Sequence, residues 1–250
     1  MATYNLYNNQ IQLVYEKRGR KNGYWIGDDN VMRVTEIAPP IPFSAGCWYG
    51  AGLARTRFIE VAMNLYAEID AALDSCETTI AKYAEIIRKA AGDTTARDLG
   101  TEGHNWIEDC IQDFENCGPY PPTLEAQCEY WLTWYNNNKV TPKHIEKKVY
   151  SKEYKYAGTL DFAGEVDGKK ALRDWKFVGP KAKERPGYAV QTAAYLNALC
   201  EENGDDPHDY DRSVLTISEN GIKEYKYTNF DADLEAFLHL LSYYRWEKAK

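Results

Sequence analysis

The sequence lacks the apolar segments that insert proteins into membranes or direct their export. It has no run of about 20 apolar residues of the kind that spans a bilayer. Its amino terminus does not join a charged stretch to a following apolar one, which is the pattern of a secretory signal. We therefore expect a soluble, cytoplasmic protein without a membrane partner.

Closely paired cysteines are also missing. Six cysteines stand at positions 47, 76, 110, 117, 128 and 200, without a Cys-x-x-Cys pair and without a clustered histidine. Zinc sites need closely spaced thiolates and imidazoles, so we predict no zinc site. Buried reduced thiols are the expected state, because disulfides persist only in an oxidising compartment.

The chain has the length and composition of a globular protein, and its charge is unevenly distributed. Its 250 residues, 44% of them hydrophobic, suffice for one domain with a sizeable core. Residues 139–185 hold thirteen Lys or Arg against seven Asp or Glu, which gives +6 and leaves −14 for the rest of a net −8. The basic candidates for phosphate contacts are Lys147, Lys148, Lys152, Lys155, Lys181, Lys183 and Arg185. An ordinary solvated surface is the alternative for about half of them.

A β-hairpin is the clearest local structure that the sequence predicts. Residues 156–166 and 169–178 have strand patterns, and Asp167-Gly168 between them is a favoured hairpin turn. Pairing across this turn brings Asp161 and Asp174 to neighbouring positions on adjacent strands.

These two acids and a nearby lysine suit metal-assisted hydrolysis of a phosphodiester. Asp174 and Lys176 are two residues apart on a strand, so their side chains project from one face and Trp175 turns to the other. Carboxylates ~4 Å apart at an effective dielectric near 20 repel by ~4 kcal/mol, and a divalent cation relieves that repulsion. Oxygen ligands favour Mg²⁺, with Mn²⁺ as a substitute, over Zn²⁺. The alternative is a pair of solvated strand-edge acids, with Lys176 guarding the edge against aggregation.

Five ordered segments resemble the PD-(D/E)XK nuclease superfamily, in its RecB-like and phage exonuclease branch. They are Gly100-Thr101 with His104 and Ile107-Glu108, then His144-Ile145-Glu146-Lys147, Gly158-Thr159-Leu160-Asp161, Asp174-Trp175-Lys176, and Gln191 with Tyr195. The likeness spans roughly residues 98–245. Leu160 stands where the family commonly has Pro, which leaves the acid in place. Five ordered segments are more specific than an isolated acid pair.

The resemblance implies a role for each of these residues. The implied metal ligands are Asp161, Asp174, the backbone carbonyl of Trp175, and His104. The implied catalytic residues are Lys176, which serves the attacking water, with Asp161, Asp174, Glu146, Gln191 and Tyr195. The implied nucleic-acid contacts are Lys147, Lys148, Lys181, Lys183 and Arg185. No iron–sulfur cluster is expected, because the members that carry one have a compact carboxy-terminal cysteine set that this chain lacks.

Some of these assignments have alternatives. His104 shares a helical face with apolar residues, as a core histidine does: Ile107, Ile111 and Phe114. Gln191 and Tyr195 lie four residues apart and so share one helical face. The alternative to a role in the active site is that both are ordinary surface polar residues. Glu146 has neighbouring lysines with which it could simply pair.

The resemblance implies an α/β fold with a restriction-endonuclease-like core, a mixed central sheet flanked by helices, and a helical amino-terminal extension. We predict a single nuclease domain over residues 1–250, mainly helical over 1–138, with an α/β catalytic core over 139–250. The implied activity is that of a Mg²⁺-dependent DNA exonuclease of recombination or repair, in a bacterium or a phage-infected host cell. Its substrate would be linear DNA, single-stranded or with frayed ends, and its partners recombination proteins. The alternatives are an endonuclease of the same superfamily and a catalytically silent DNA-end-binding protein.

Three further predictions concern segments around this core. Residues 24–27 and 31–37 predict a hairpin, residues 51–91 predict two helices or one long bent helix, and Asp231 is expected to cap the last helix. Residues 32–37 and 48–50 also resemble the amino-terminal region of phage-encoded members, and this resemblance implies that the helices form a wall beside the active site. Candidates for stacking with bases, with core packing as the alternative, are Trp48, Tyr49, Trp106, Trp131, Trp134 and Tyr135.

Overall fold

The computed structural model describes residues 2–18, 21–37, 95–114, 117–180 and 182–249. These residues form nine strands: β1 Ala2–Leu6, β2 Ile11–Arg18, β3 Lys21–Ile26, β4 Asp29–Arg33, β5 Val140–Ser151, β6 Tyr156–Val166, β7 Lys169–Phe177, β8 Asp211–Ser218 and β9 Gly221–Lys226. Their helices are α1 Val34–Ile37, α2 Thr95–Gln112, α3 Glu125–Asn137, α4 Pro186–Asn203 and α5 Phe230–Lys248. None of the described helices is long and apolar enough to cross a membrane.

The strands form one sheet, most of whose pairs are antiparallel. Its order is β1-β2-β3-β4-β6-β7-β8-β9, and β5 pairs with β6. Parallel pairing occurs between β4 and β6 and between β7 and β8. The prediction of an α/β fold, with a mixed sheet flanked by helices, is confirmed.

The described residues belong mainly to one compact unit, Met1–Pro40 with Glu102–Lys250. The second unit, Ile41–Thr101, is described only from residue 95. The predicted helices over residues 51–91 lie outside the described residues. The division into a helical part and a catalytic core within one nuclease domain stays a prediction.

The predicted hairpin is present as β6 and β7. Its turn residues Asp167 and Gly168 have φ of 52° and 76°, which is the left-handed backbone that a tight hairpin turn requires. The register between the strands ends at Phe162↔Arg173, while β7 continues beside β8 to its last residue. Residues 158–161 of β6 therefore lie between its pairing with β7 and its pairing with β4. This divergence of strands leaves room for side chains at the site described below.

The amino-terminal 33 residues contain four strands, where the sequence predicted one hairpin and an otherwise mainly helical segment. Tyr7, Asn8 and Asn9 all have left-handed backbone and turn β1 into β2. The predicted second strand over residues 31–37 is also shorter, because Val34 begins the one-turn helix α1. Val34 is fully buried, and this burial in the core outweighs the β propensity of a valine.

Helices cover both faces of the sheet. On one face α4 and α5 contribute Leu196, Leu199 and Phe237 to the main core, against Val149 and Leu160 of the sheet. On the other face the ring of Trp131 in α3 meets that of Trp175 in β7 edge-on, with centroids 6.1 Å apart. Trp175 thus faces away from Asp174, as its position on the strand predicts.

Two details differ from the sequence predictions. Cys110 and Cys117 form a disulfide, with Cα atoms 4.5 Å apart, in place of the reduced thiols expected for them. Cys128 and Cys200 are free and buried, as expected. The last helix is capped by Asn229, which accepts from the backbone N–H of Ala232 at 3.3 Å, and not by Asp231.

Candidate functional site

Three side chains from separate parts of the chain meet beside the divergence of β6 and β7. Nδ1 of His104 lies 3.5 Å from Oε1 of Glu146 and 3.6 Å from Oδ2 of Asp161. One ligand atom from each residue lies within 4.8 Å of those of the other two. An imidazole and two carboxylates at this spacing can hold a metal ion. We refer to these three residues as the acid–histidine cluster.

Glu146 reaches the cluster from an unusual backbone conformation. It lies between the paired positions Ile145↔Phe162 and Lys147↔Leu160, which places it across from Asp161 on the neighbouring strand. Its φ of 47° is left-handed, a conformation that costs a non-glycine residue on the order of 1–3 kcal/mol. Such strain persists only where the surrounding structure maintains it, and it is often found at functional sites.

Two glycines allow the surrounding segments to approach closely. A Cβ atom on Gly103 would lie 2.3 Å from the ring of Phe177, so α2 can contact the end of β7 only without a side chain there. Gly103 directly precedes His104. A Cβ atom on Gly158 would lie 2.5 Å from the ring of Tyr195, which explains the glycine of the Gly-Thr-Leu-Asp segment.

A hydrogen-bonded network adjoins the cluster on the α4 side. Asp174 is 1% exposed and forms an ion pair with Lys176. Nε2 of Gln191 donates both to Oδ1 of Asp174 and to the hydroxyl of Tyr195, at 3.1 Å in each case. The backbone N–H of Trp175 donates to Oδ2 of Asp161 at 2.7 Å, and so ties the two acid-bearing strands together.

Burial weakens the acidity of both aspartates. Burial raises the pKa of Asp174 to about 6, although Lys176 opposes the shift. Burial likewise raises the pKa of Asp161, against the opposing charges of His104 and Lys176. Raised carboxyl pKa values mean that the negative charges are incompletely compensated in the metal-free protein.

The two basic groups of the site are held in their protonated forms. Burial alone would lower the pKa of His104, but the charge of Asp161 and the hydrogen bond with Glu146 outweigh it and raise the pKa to about 9. Burial would also lower the pKa of Lys176, but the charges of Asp174 and Asp161 raise it. Metal binding through His104 would therefore release a proton near neutral pH.

The structure brings together most of the residues that the sequence singled out for the site. They are His104, Glu146, Asp161, Asp174, Lys176, Gln191 and Tyr195. Tyr195 is 3% exposed, so the alternative of a surface polar residue does not hold for it. His104 contacts two acids and is not a histidine enclosed by apolar side chains. The role of the Trp175 carbonyl as a ligand stays a prediction.

The predicted phosphate-binding residues differ in their exposure and in their protein partners. Lys147 forms an ion pair with Glu202 at 3.2 Å, and Lys148 donates to the backbone carbonyl of Glu146 at 2.9 Å. Lys183 and Arg185 are exposed between β7 and α4, and Lys181 lies outside the described residues.

The aromatic candidates for stacking fall into two groups. Trp106 and Trp131 are buried in the core, which supports core packing for both. Trp134 and Tyr135 are partly buried, and Trp48 and Tyr49 lie outside the described residues.

Sequence reasoning assigned no role to Glu108, one helical turn after His104. Burial and the charge of Glu146 raise the pKa of Glu108, which places this carboxyl within electrostatic reach of the cluster. Its proximity to the site could have been predicted from the sequence, because residues four apart share a helical face and Glu108 lies four residues after His104.

Comparisons with known proteins give no family for the chain. No protein-family model matches it, and no curated protein matches it significantly. A solved structure titled "Crystal structure of SSO0001" aligns over 87% of this chain and 76% of its own, at 13% identity and a TM-score of 0.40. That likeness is too weak to carry an argument.

Proposed function

We propose that the protein is a Mg²⁺-dependent DNA exonuclease of the PD-(D/E)XK superfamily, in its RecB-like and phage exonuclease branch, with a restriction-endonuclease-like core. The observation that carries the proposal is the meeting of His104, Glu146, Asp161 and Lys176, which come from four different strands and helices, in one place. A solvated strand edge would not gather these groups. Asp161 and Asp174 are instead buried against a lysine, which the resemblance assigns to the attacking water.

The residues present fit a divalent cation. The acid–histidine cluster offers three donor atoms close together, and the two aspartates carry charge that burial leaves poorly compensated. When bound, Mg²⁺ or Mn²⁺ would neutralise charge on the phosphate and lower the pKa of a coordinated water molecule. Carboxylate oxygens favour these hard ions.

Lys176 acts as a cation in this proposal. Its pKa is raised by Asp174 and Asp161, so it holds its proton at neutral pH in the metal-free protein and does not accept one from water in that state. Its ammonium can instead orient the attacking water and stabilise the charge that develops on the phosphate. Gln191 supports this arrangement, because it fixes the Asp174 carboxylate that pairs with the lysine.

The charge distribution supports DNA as the substrate. The segment 139–185, which contributes Glu146, Asp161, Asp174 and Lys176 to the site, carries a surplus of +6 along the sequence, within a chain of net charge −8. Part of this surplus is compensated in the fold by acids outside the segment: Glu202, Asp205 and Asp211. Positive charge beside an acidic metal site favours the approach of a phosphate backbone, and acidic surfaces elsewhere limit nonspecific coating.

Digestion of end-labelled linear DNA, single- and double-stranded, tests the proposal. Wild-type protein should release short products from the ends with Mg²⁺ and none with chelator. Lys176→Ala should slow cleavage by about a hundredfold or more, because a lost charge contact in the transition state costs on the order of 3 kcal/mol. Lys170→Ala is the matched control, since Lys170 lies on the same strand but pairs with Asp205 at 2.9 Å.

Several outcomes would contradict the proposal. Cleavage in chelator would remove the metal from the reaction, and equal rates for the two lysine variants would remove Lys176. Internal cuts alone would indicate an endonuclease. Binding of ends without any cleavage would indicate the catalytically silent alternative.

A further inference from the structure

A groove lies between the two strands β1 and β5. It has a volume of about 510 Å³ and is lined by residues 3–6 of β1 and 143–148 of β5. Both strands are sheet edges on this side, because β1 pairs with β2 and β5 pairs with β6. The groove is thus a concave surface between backbone edges, lined by a cluster of lysines.

The lining of the groove is basic. Lys143 and Lys148 form no ion pair with any side chain in the described part of the chain, whereas Lys147 is compensated by Glu202. Lysines that have no ion-pair partner in a concave surface favour an anionic ligand.

An aromatic ring stands beside these lysines. Tyr4 of β1 is partly buried, and Nζ of Lys148 lies 5.6 Å from the centre of its ring. A ring next to a cation is the pairing that binds single-stranded nucleic acid, where bases stack on aromatics and phosphates meet lysines.

The groove is continuous with the acid–histidine cluster. Glu146 lines the groove and also approaches His104 through its carboxylate. Nζ of Lys148 donates to the backbone carbonyl of the same glutamate at 2.9 Å. A ligand in the groove would therefore lie next to the candidate metal centre.

We infer that this groove holds a short single-stranded segment of the nucleic acid, with Tyr4 stacked on a base and Lys143 and Lys148 on phosphates. The inference rests on the proposed function, to which it adds the path of the substrate. A volume of 510 Å³ is in the range of a drug-sized ligand, ~300–1,000 Å³, and so suits about one or two nucleotides and not a duplex. Lysines on an edge strand also protect against aggregation, so binding has to be measured.

The test is the anisotropy of a fluorescein-labelled oligothymidylate, titrated with protein in chelator so that no cleavage occurs. Tyr4→Leu should weaken binding about fivefold or more, and Tyr4→Phe should bind like wild type, because stacking needs the ring and not the hydroxyl. Lys143→Ala should reduce the slope of log K against log salt by about 0.7, the value for one phosphate contact on a single strand. The matched control is Lys223→Ala, an exposed lysine beside Tyr225 on the opposite edge strand β9.

Each result decides the inference. Equal binding by Tyr4→Leu and Tyr4→Phe, or equal salt slopes for Lys143→Ala and Lys223→Ala, would overturn it even if the wild type cleaves DNA. Absence of oligothymidylate binding by the wild type would also overturn it and leave edge protection as the role of the lysines. The wild type could bind oligothymidylate in a way that depends on Tyr4 and Lys143 and yet cleave no DNA. This result would support the groove as a nucleic-acid site and refute the nuclease proposal.

Discussion

Glu146 brings a carboxylate to the acid–histidine cluster from a backbone conformation that glycine adopts more easily. Its left-handed φ of 47° interrupts the strand across from Asp161. Strain at this position is understandable if the carboxylate is needed, because sites that bind or catalyse often sacrifice stability for geometry.

The strain can be measured with two variants. Glu146→Gly should be more stable than Glu146→Ala by about 1 kcal/mol in chelator, because relief of ~1–3 kcal/mol of strain exceeds the ~0.5–1 kcal/mol of extra chain entropy that glycine loses. Both variants lose the contact with His104, so the comparison isolates the backbone. Urea unfolding gives the difference, and a less stable glycine variant would show that the conformation is unstrained.

Asp174 should destabilise the metal-free fold at neutral pH. Its pKa rises from an ordinary 3.8 to about 6 on folding, so the folded state binds the proton more tightly, and stability falls as pH rises from about 4 through about 6. Asp174→Asn cannot ionise. Its stability relative to wild type should therefore rise across this window by on the order of 3 kcal/mol, and the difference should stay level above it.

Urea unfolding in chelator at a series of pH values measures this effect. Asp205→Asn is a control in which the pH dependence of stability should have the opposite sign. Hydrogen bonds from Lys170 and Tyr210 lower the pKa of Asp205, so the variant should lose stability relative to wild type as pH rises. A constant difference between Asp174→Asn and wild type at all pH values would mean that the acid is structural. If the prediction holds, added Mg²⁺ should stabilise the wild type more than Asp174→Asn, because the variant has lost a negative charge beside the cluster.

The positions of the site residues were partly predictable from the sequence. The Asp-Gly turn and strand alternation predict that Asp161 and Asp174 are neighbours, because the hairpin turn fixes the register. The left-handed backbone of Glu146 was not predictable, since no local preference of glutamate favours it. It arises where β5 passes beside α2 and β6, which is tertiary context.

The helix α2 positions His104 through its contact with Phe177 at Gly103. The same helix contains a second glycine, Gly100, where an added Cβ atom would meet no atom of the described residues within 4 Å. The two glycines share a helix but differ in surroundings, so one substitution can be compared at both positions.

Gly100→Ala should stabilise the protein by up to about 1 kcal/mol, because alanine favours helix over glycine. Gly103→Ala should be less stable than Gly100→Ala by about 1–3 kcal/mol, since its Cβ atom would lie 2.3 Å from the Phe177 ring. Thermal unfolding measures both, and Phe177→Leu in the Gly103→Ala background should restore part of the loss. Equal stability of the two alanine variants would mean that α2 does not need this close contact.

The secondary structure was predictable where local signals agreed and not where they conflicted. The hairpin of β6 and β7 has clear turn residues in Asp167 and Gly168. The turn between β1 and β2 was missed, although Asn8 and Asn9 tolerate left-handed backbone better than most residues. The alternation of buried and exposed residues in these two strands is weak, and a two-stranded hairpin is stable only as part of a larger sheet.

The basic residues of the chain are concentrated in one segment, although the net charge of the chain is negative. The surplus of +6 over residues 139–185 includes the β5 side of the groove, so the basic surface and the candidate metal centre share one strand. Under the proposed function, a nucleic-acid substrate in this groove would enter as a single strand, because the groove has room for about one or two nucleotides.

DNA with ends should therefore be digested and DNA without ends should resist. At an end the two strands fray, but inside a closed duplex each base-pair step costs ~1.4 kcal/mol to unstack. Opening two internal steps then costs about 3 kcal/mol, roughly a hundredfold in rate. Gel electrophoresis of a relaxed, covalently closed circle and its once-cut linear form, at equal mass and Mg²⁺, measures this ratio. Prompt linearisation of the closed circle would instead identify an endonuclease.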